Sequence, residues 1–444
     1  MSATEKKKEC VLMQRRFFNQ TLLGVGGALF SGIRGKASAL GLSPVHPRSQ
    51  ISENQMRRDS ESALPYPKPK GLRNGFDGLN MHEVLQVKRQ PAVRVKLEMA
   101  GKPQAAQLSD GTIIVAGFIE PPVHPESRCT LQYSCDNGRN FSQPRVLDLP
   151  GRTEGFKALK NNTLILAHAG RISRSTNGGL NWKTFEFPED FIPGKGSFKL
   201  GECHGPIELP DGTLMVSLVR TVGHYQWAAY VIRSTDDGKT WGNPTPVPTA
   251  TDADEISYAY LSSGQILGIA RTSAAFIRRE GLQDLVPGSK GAPIDTEAGD
   301  SSFSFYSDDK GRTWSHPKPT GLGVLQAAGG YPLPLADGRI LLLHGNRVFP
   351  YGTQVVGSRD LGKTWDLNHP IFLSWHSWSG YCGHPRSVQL QDGTILTGYY
   401  THRIDIEGPD QVDTGRNAPL PHHNQEDTGE LIRWRVPDDW PPST

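Results

Sequence analysis

The chain has 444 residues, with 48 Lys and Arg against 45 Asp and Glu, 36% hydrophobic residues, 49 Gly and 34 Pro. The slight positive balance belongs to residues 1–39, which hold seven basic and two acidic side chains; the remainder carries 41 basic against 43 acidic, so no global field calls for nucleic acid. No run of about 20 apolar residues follows the N-terminal region, so stable insertion of the body of the chain as membrane helices is not expected.

In chain order, residues 1–39 read as an export signal. Lys6-Lys7-Lys8 and Arg15-Arg16-Phe17-Phe18 precede an apolar run from Leu22 to Phe30, and Ala37-Ser38-Ala39 offers small residues to a signal peptidase. A charged n-region, a short h-region and an A-x-A site make a secretory leader. The arginine pair resembles that of a bacterial twin-arginine signal, which implies a periplasmic or extracellular destination. Residues 40–80, rich in Pro, Ser, Arg and Gly without periodicity, read as a partly disordered linker. Residues 81–437 follow as one domain, with a tail over 438–444.

Two patterns alternate through that domain. Leu108-Ser-Asp110-Gly111, Leu159-Lys-Asn161-Asn162, Leu209-Pro-Asp211-Gly212, Leu261-Ser-Ser263-Gly264, Leu335-Ala-Asp337-Gly338 and Leu390-Gln-Asp392-Gly393 are six turns, each followed by an apolar strand. Between them stand five copies of S-x-D/N-x-G-x-x-W/F, which begin at Ser134, Ser175, Ser234, Ser307 and Ser358. In each, Asp or Asn hydrogen-bonds its own turn, Gly supplies a positive φ, and the aromatic ring pins the hairpin into a seam between sheets. Six hairpins at the spacing of four-stranded units predict an all-β fold, a six-bladed β-propeller. The last strand, Glu430 to Val436, is expected to close the ring against the first blade near Val93 to Leu97. A Cys129–Cys135 bridge is open to the chain but not demanded by it.

Chemistry in a propeller belongs at the hub, on the face opposite the turns. Residues equidistant from a turn meet at the open end of their hairpin. Glu255 lies eight residues before Ser263 and Arg271 eight after; His384 and Tyr400 flank Asp392 in the same way. Arg347, Arg171 and Glu120 each lie ten residues after a turn, on the same strand face as a residue at eight. Several arginines aimed at one place suit an anionic ligand, because the guanidinium fork matches a carboxylate. Trp378, in Trp375-His376-Ser377-Trp378, enters blade six from the hub side as a wall for sugar stacking or as loop packing. His204, His344, His384 and His402 have no metal-ligand spacing, so neither a metal nor a cofactor is expected.

The S-x-D/N-x-G-x-x-W/F hairpin resembles the Asp-box, or BNR repeat, of the sialidase (neuraminidase) superfamily, over roughly residues 95–436. The resemblance implies three arginines around the carboxylate of the sugar, a Glu that assists a Tyr nucleophile, and an Asp acid/base. Glu255 and Arg271 match the segment that carries the Glu and the second Arg, and Arg347 resembles the third Arg. Lys102, in Gly101-Lys102-Pro103, stands where the family has its first Arg. His384, in Gly383-His384-Pro385-Arg386-Ser387, stands at the Tyr position. No Asp occurs between Phe118 and Tyr133, which leaves Glu120, His124 and Glu126 for the acid/base. The expected function is an exported exo-glycoside hydrolase of sialidase type, a monomer, acting on a terminal acidic sugar of a glycan. Glu255, His384 and Glu120 would be catalytic; Arg271, Arg347, Lys102, Arg171, Tyr400 and Trp378 would bind substrate. The alternative is a non-catalytic propeller that binds glycans or proteins. Replacing Arg15 and Arg16 by Lys is expected to retain a longer precursor in the cytoplasm, read by immunoblot of fractionated cells; unchanged export contradicts the twin-arginine route.

Overall fold

The computed structural model describes residues 95–96, 100–119, 125–200, 205–249, 252–326, 328–348, 351–374, 380, 382–404 and 425–441. The expected export signal and linker lie outside these residues, as do Glu120, His124, Cys203, His204, His376 and Trp378.

Six antiparallel sheets follow one another along the chain. Blades one to five span residues 100–150, 153–185, 195–246, 253–319 and 328–374. Blade six takes Gly383–Gln389, Ile395–Ile404 and Gln425–Trp434, and its fourth strand is Val95–Lys96 from the other end of the chain. The fold is a six-bladed β-propeller. The last strand meets the chain near Val93 to Leu97, as expected, but the segment it meets belongs to blade six and not to blade one. Gln425–Trp434 is the third strand of the last blade, and Val95 pairs with Leu431 to complete that sheet just before blade one begins. Closure of this kind leaves no open sheet edge between first and last blades.

The second strands Ile113–Ile119, Leu164–His168, Ile266–Thr272 and Ile340–Asn346 are buried at every position. Each is covered by a neighbouring blade on both faces, which explains why these segments read as near-continuous apolar runs rather than alternating ones. The S-x-D/N hairpins form the seams. In all five, the Ser Oγ donates to the Asp or Asn side chain at 2.8–2.9 Å, the Gly N–H donates to the Ser Oγ at 2.8–3.0 Å, and the N–H two residues after the Gly donates to the Asp or Asn oxygen at 2.8–3.0 Å. The glycine of each hairpin faces the blade before it. A Cβ at Gly179 would meet Leu131 at 2.5 Å, one at Gly238 would meet Ile165 at 2.7 Å, and one at Gly362 would meet Leu267 at 2.9 Å. Glycine is required here for close approach as well as for positive φ.

Two departures from regularity matter for the site. The inner strand of blade three is split into Lys195–Lys199 and Ile207–Glu208, both paired with Leu214–Gly223. In blade four the chain leaves the sheet after Thr272 and returns at Ser301. This excursion carries a short helix, Ala274–Arg279, and a 3-10 turn, Glu297–Gly299. Phe276, Ile277 and Val286 anchor it on Phe303.

Cys129 and Cys382 are free buried thiols, whereas Cys135 is disulfide-bonded, so the Cys129–Cys135 bridge is not formed. Burial pushes the Cys129 thiol up to about 12. The short tail after residue 437 carries Trp440, which is buried and donates its Nε1–H to the His369 carbonyl at 2.6 Å.

Deleting the chain after Glu430 removes Leu431, Ile432 and Trp434, which are 0, 2 and 3% exposed. At about 1.5–3 kcal/mol for each fully buried side chain, the loss rivals a typical total stability of about 5–15 kcal/mol. The truncated protein is expected to be insoluble or cleaved at once by protease; an unchanged melting temperature contradicts the closure.

Candidate active site at the hub

Glu255 and Arg271 are direct partners across the first two strands of blade four, so the eight-before and eight-after positions become one ion pair. Arg271 Nη1 lies 2.8 Å from Glu255 Oε1, its Nε donates to Asp300 Oδ2 at 2.9 Å, and its Nη2 lies 3.1 Å from Glu297 Oε2. Only 4% of the Arg271 side chain is exposed. A guanidinium so deeply buried needs such a set, since an unpaired buried charge is strongly unfavourable. Asp300 also accepts the Tyr225 hydroxyl at 2.8 Å. Burial pushes the Asp300 carboxyl up to about 6 against the pull of Arg271. Burial and the Asp300 charge push the Tyr225 hydroxyl upward, which keeps it a donor.

His384 enters from the inner strand of blade six with its Nε2 3.4 Å from Glu255 Oε1. The other oxygen of Glu255, Oε2, accepts the Gly329 N–H at 2.8 Å. His384 holds a left-handed backbone with φ of 46°, and Gly329 one of 66°. A Cβ on Gly329 would stand 2.6 Å from the His384 Cα. Gly329 therefore serves the site twice, by orienting the carboxylate and by letting the histidine backbone approach. The His384 and Tyr400 rings are 5.6 Å apart, and Arg347 Nη2 donates to the Tyr400 hydroxyl at 3.3 Å. Arg347 also pairs through Nη1 with Glu297 Oε2. One oxygen of Glu297 thus bridges both arginines. Burial works to raise the Glu297 carboxyl, but the Arg271 and Arg347 guanidiniums outweigh it and hold the group down at about 2.

The structure brings Glu255, Arg271, Arg347, His384 and Tyr400 into this one cluster. Arg171 is elsewhere: it donates to Glu186 at 2.9 Å on the surface of blade two. The position-counting rule fails there because the second strand of blade two ends at His168. The chain turns through Ala169 and Gly170, both at positive φ, and Arg171 already starts the third strand. Lys102 is half-buried in a separate pocket with Phe118, Arg152, Glu154, Phe198 and Lys199, between blades one, two and three. Glu126 is exposed and pairs with Arg128 at 2.5 Å. Glu120 and Trp378 lie outside the described residues.

Sequence reasoning passed over Glu297, Asp300, Tyr225 and Gly329. A signal existed for the first two: the 28-residue stretch 273–300 between two strands of one blade ends in Thr296-Glu297-Ala298-Gly299-Asp300, just where the chain returns beside Arg271. Gln104, Phe156, Ile207, Tyr258, Tyr331 and Arg386, one from each blade, enclose a cavity of about 40 Å³. No group of three or more His, Cys, Asp or Glu side chains suited to a metal occurs among the described residues.

No family model matches the chain, and no curated protein sequence does. Among solved structures it is similar to a protein of unknown function from Dyadobacter fermentans DSM 18053, at 19% identity over 77% of this chain and 98% of that one, with a TM-score of 0.58. It is also similar to the Trypanosoma rangeli sialidase in its covalent intermediate with 2,3-difluorosialic acid, at 11% identity over 76% of this chain and 54% of that one, with a TM-score of 0.50. The chain spans just over half of the Trypanosoma protein. The likeness is one of fold: the chain is a sialidase-like six-bladed propeller.

The Asp300 carboxyl titrates above its ordinary range in the folded state. Folding therefore favours its protonated form, and its contribution to stability falls as pH rises from about 4 to about 6. Asp300→Asn keeps the shape and removes the ionisation. In urea unfolding, its stability relative to the unsubstituted protein is expected to rise across that window; a difference independent of pH contradicts the assignment.

Proposed function

We propose that the chain is an exported exo-glycoside hydrolase that acts on a terminal acidic sugar. The observation that carries this reading is the pair of arginines, Arg271 and Arg347, bridged by one carboxylate oxygen beside the Glu255–His384 pair. The Glu297 carboxylate stands in for the carboxylate of a sugar, and the guanidinium fork suits either. The residues 1–39 pattern supports export.

In the proposed reaction His384, its Nε2–H turned toward Glu255, takes a proton from a water at its other ring nitrogen, Nδ1. The water oxygen bonds to the anomeric carbon as the glycosidic C–O bond breaks, and the leaving oxygen takes a proton from Glu120, the residue after Ile119. Direct attack by water inverts the anomeric centre. Tyr400 lies beside His384 and holds Arg347 through its hydroxyl. A binding propeller is the second reading, favoured by one observation: Arg271 is already engaged by three carboxylates.

A screen against fluorogenic glycosides of sialic, uronic and neutral sugars separates the two. The enzyme reading expects turnover of an acidic glycoside, and about a hundredfold loss or more in kcat in His384→Ala with little change in melting temperature. Cleavage of neutral sugars alone, or full turnover in His384→Ala, contradicts it. Retention on an immobilised acidic glycan with no turnover supports the binding propeller.

A further inference from the structure

We propose that Glu297 is a built-in occupant of the anion site, and that an acidic ligand enters only by exchange for the Glu297 carboxylate. The proposal rests on the acidic-sugar reading for the identity of the ligand, though not for the exchange itself.

Three observations carry it. First, the carboxylates of the cluster already outnumber its guanidiniums. Two guanidiniums, Arg271 and Arg347, face three carboxylates, Glu255, Asp300 and Glu297. A fourth carboxylate would add a like charge to a buried site, so a carboxylate that arrives must replace one that leaves. Second, the three are not equally replaceable. The Glu255 and Asp300 side chains are 2% and 4% exposed, and each is tied by a further donor, the Gly329 N–H and the Tyr225 hydroxyl. Glu297 is 56% exposed and faces solvent. Its carboxylate also occupies the bridge between the arginines that a ligand carboxylate would need. Third, Glu297 stands on the 3-10 turn of the blade-four excursion, outside every sheet. The turn itself is wedged: a Cβ on Gly299 would overlap the Pro293 carbonyl and meet Ala274 at 2.7 Å. The moving part is therefore the Glu297 side chain, which can rotate away while the turn and the blade stay in place.

A site filled by its own side chain binds ligand more weakly by the fraction of time it stands open. Glu297 thus sets the threshold for acidic ligands and leaves neutral sugars unaffected.

Glu297→Ala deletes the occupant and leaves a space the size of an acetate ion. Thermal melts with sodium acetate, against sodium chloride at matched ionic strength, and calorimetric titrations with N-acetylneuraminic acid, glucuronic acid and glucose test the proposal. Acetate is expected to raise the melting temperature of Glu297→Ala above the effect of chloride, and to leave the unsubstituted protein unmoved. At least one acidic sugar should bind the variant roughly tenfold more tightly or better, with glucose unchanged. Equal acetate effects and equal acidic-sugar affinities in the two proteins overturn the exchange and leave the acidic-sugar reading standing. Acetate rescue with no acidic sugar bound by either protein upholds the exchange and removes that reading. If Glu297→Ala does not fold, Glu297→Gln decides by the same titrations: tighter acidic-sugar binding upholds the proposal, and equal or weaker binding overturns it.

Discussion

Each blade of this protein is apolar on both faces, and that constraint governs the rest. The second strands of blades one, two, four and five are buried at every residue, so these blades need a neighbour on either side, and the row of six has to bend round until the last meets the first. The S-x-D/N hairpins set the spacing, with a glycine of each pressed against the blade before it, and Val95–Lys96 closes the last sheet. Once the ring is shut, the inner strands end on a common axis. Residues far apart in the chain, Glu255 and His384 among them, then meet because the closure leaves their strands nowhere else to end.

The same geometry explains which parts of the site were legible in the sequence. Where a blade has long, regular inner strands, counting residues from its turn gives a position at the hub. Glu255 and Arg271 are register partners, and Tyr400 stands opposite Gly383, next to His384. Counting failed for Arg171, because the strand before it is only five residues long. Lys102 was singled out by the resemblance alone, and its side chain lines a separate pocket. Glu297 and Asp300 were beyond such counting, since they arrive on an excursion that has no register with the sheet. Tyr225 and Gly329 become meaningful only when their partners, Asp300 and Glu255, are in place. The fold was readable because its signals are local and repeated. The electrostatic half of the site was not, because it depends on which charges are buried together.

That electrostatic half gives the hub its character. Arg271 is engaged by three carboxylates, and burial pushes one of them, Asp300, up to about 6. The arginine pair folds with one carboxylate, that of Glu297, bridging it. His384 lies beside Glu255 and is backed by Gly329, whereas Glu297 faces solvent.

The most direct test of this account is a crystal structure of the unsubstituted protein soaked with an acidic sugar, N-acetylneuraminic acid or glucuronic acid. The account predicts the sugar carboxylate between Arg271 and Arg347, the Glu297 side chain turned out to solvent, and the anomeric carbon facing His384. A sugar bound elsewhere on the propeller, or bound at the hub with Glu297 still bridging the two arginines, would contradict it.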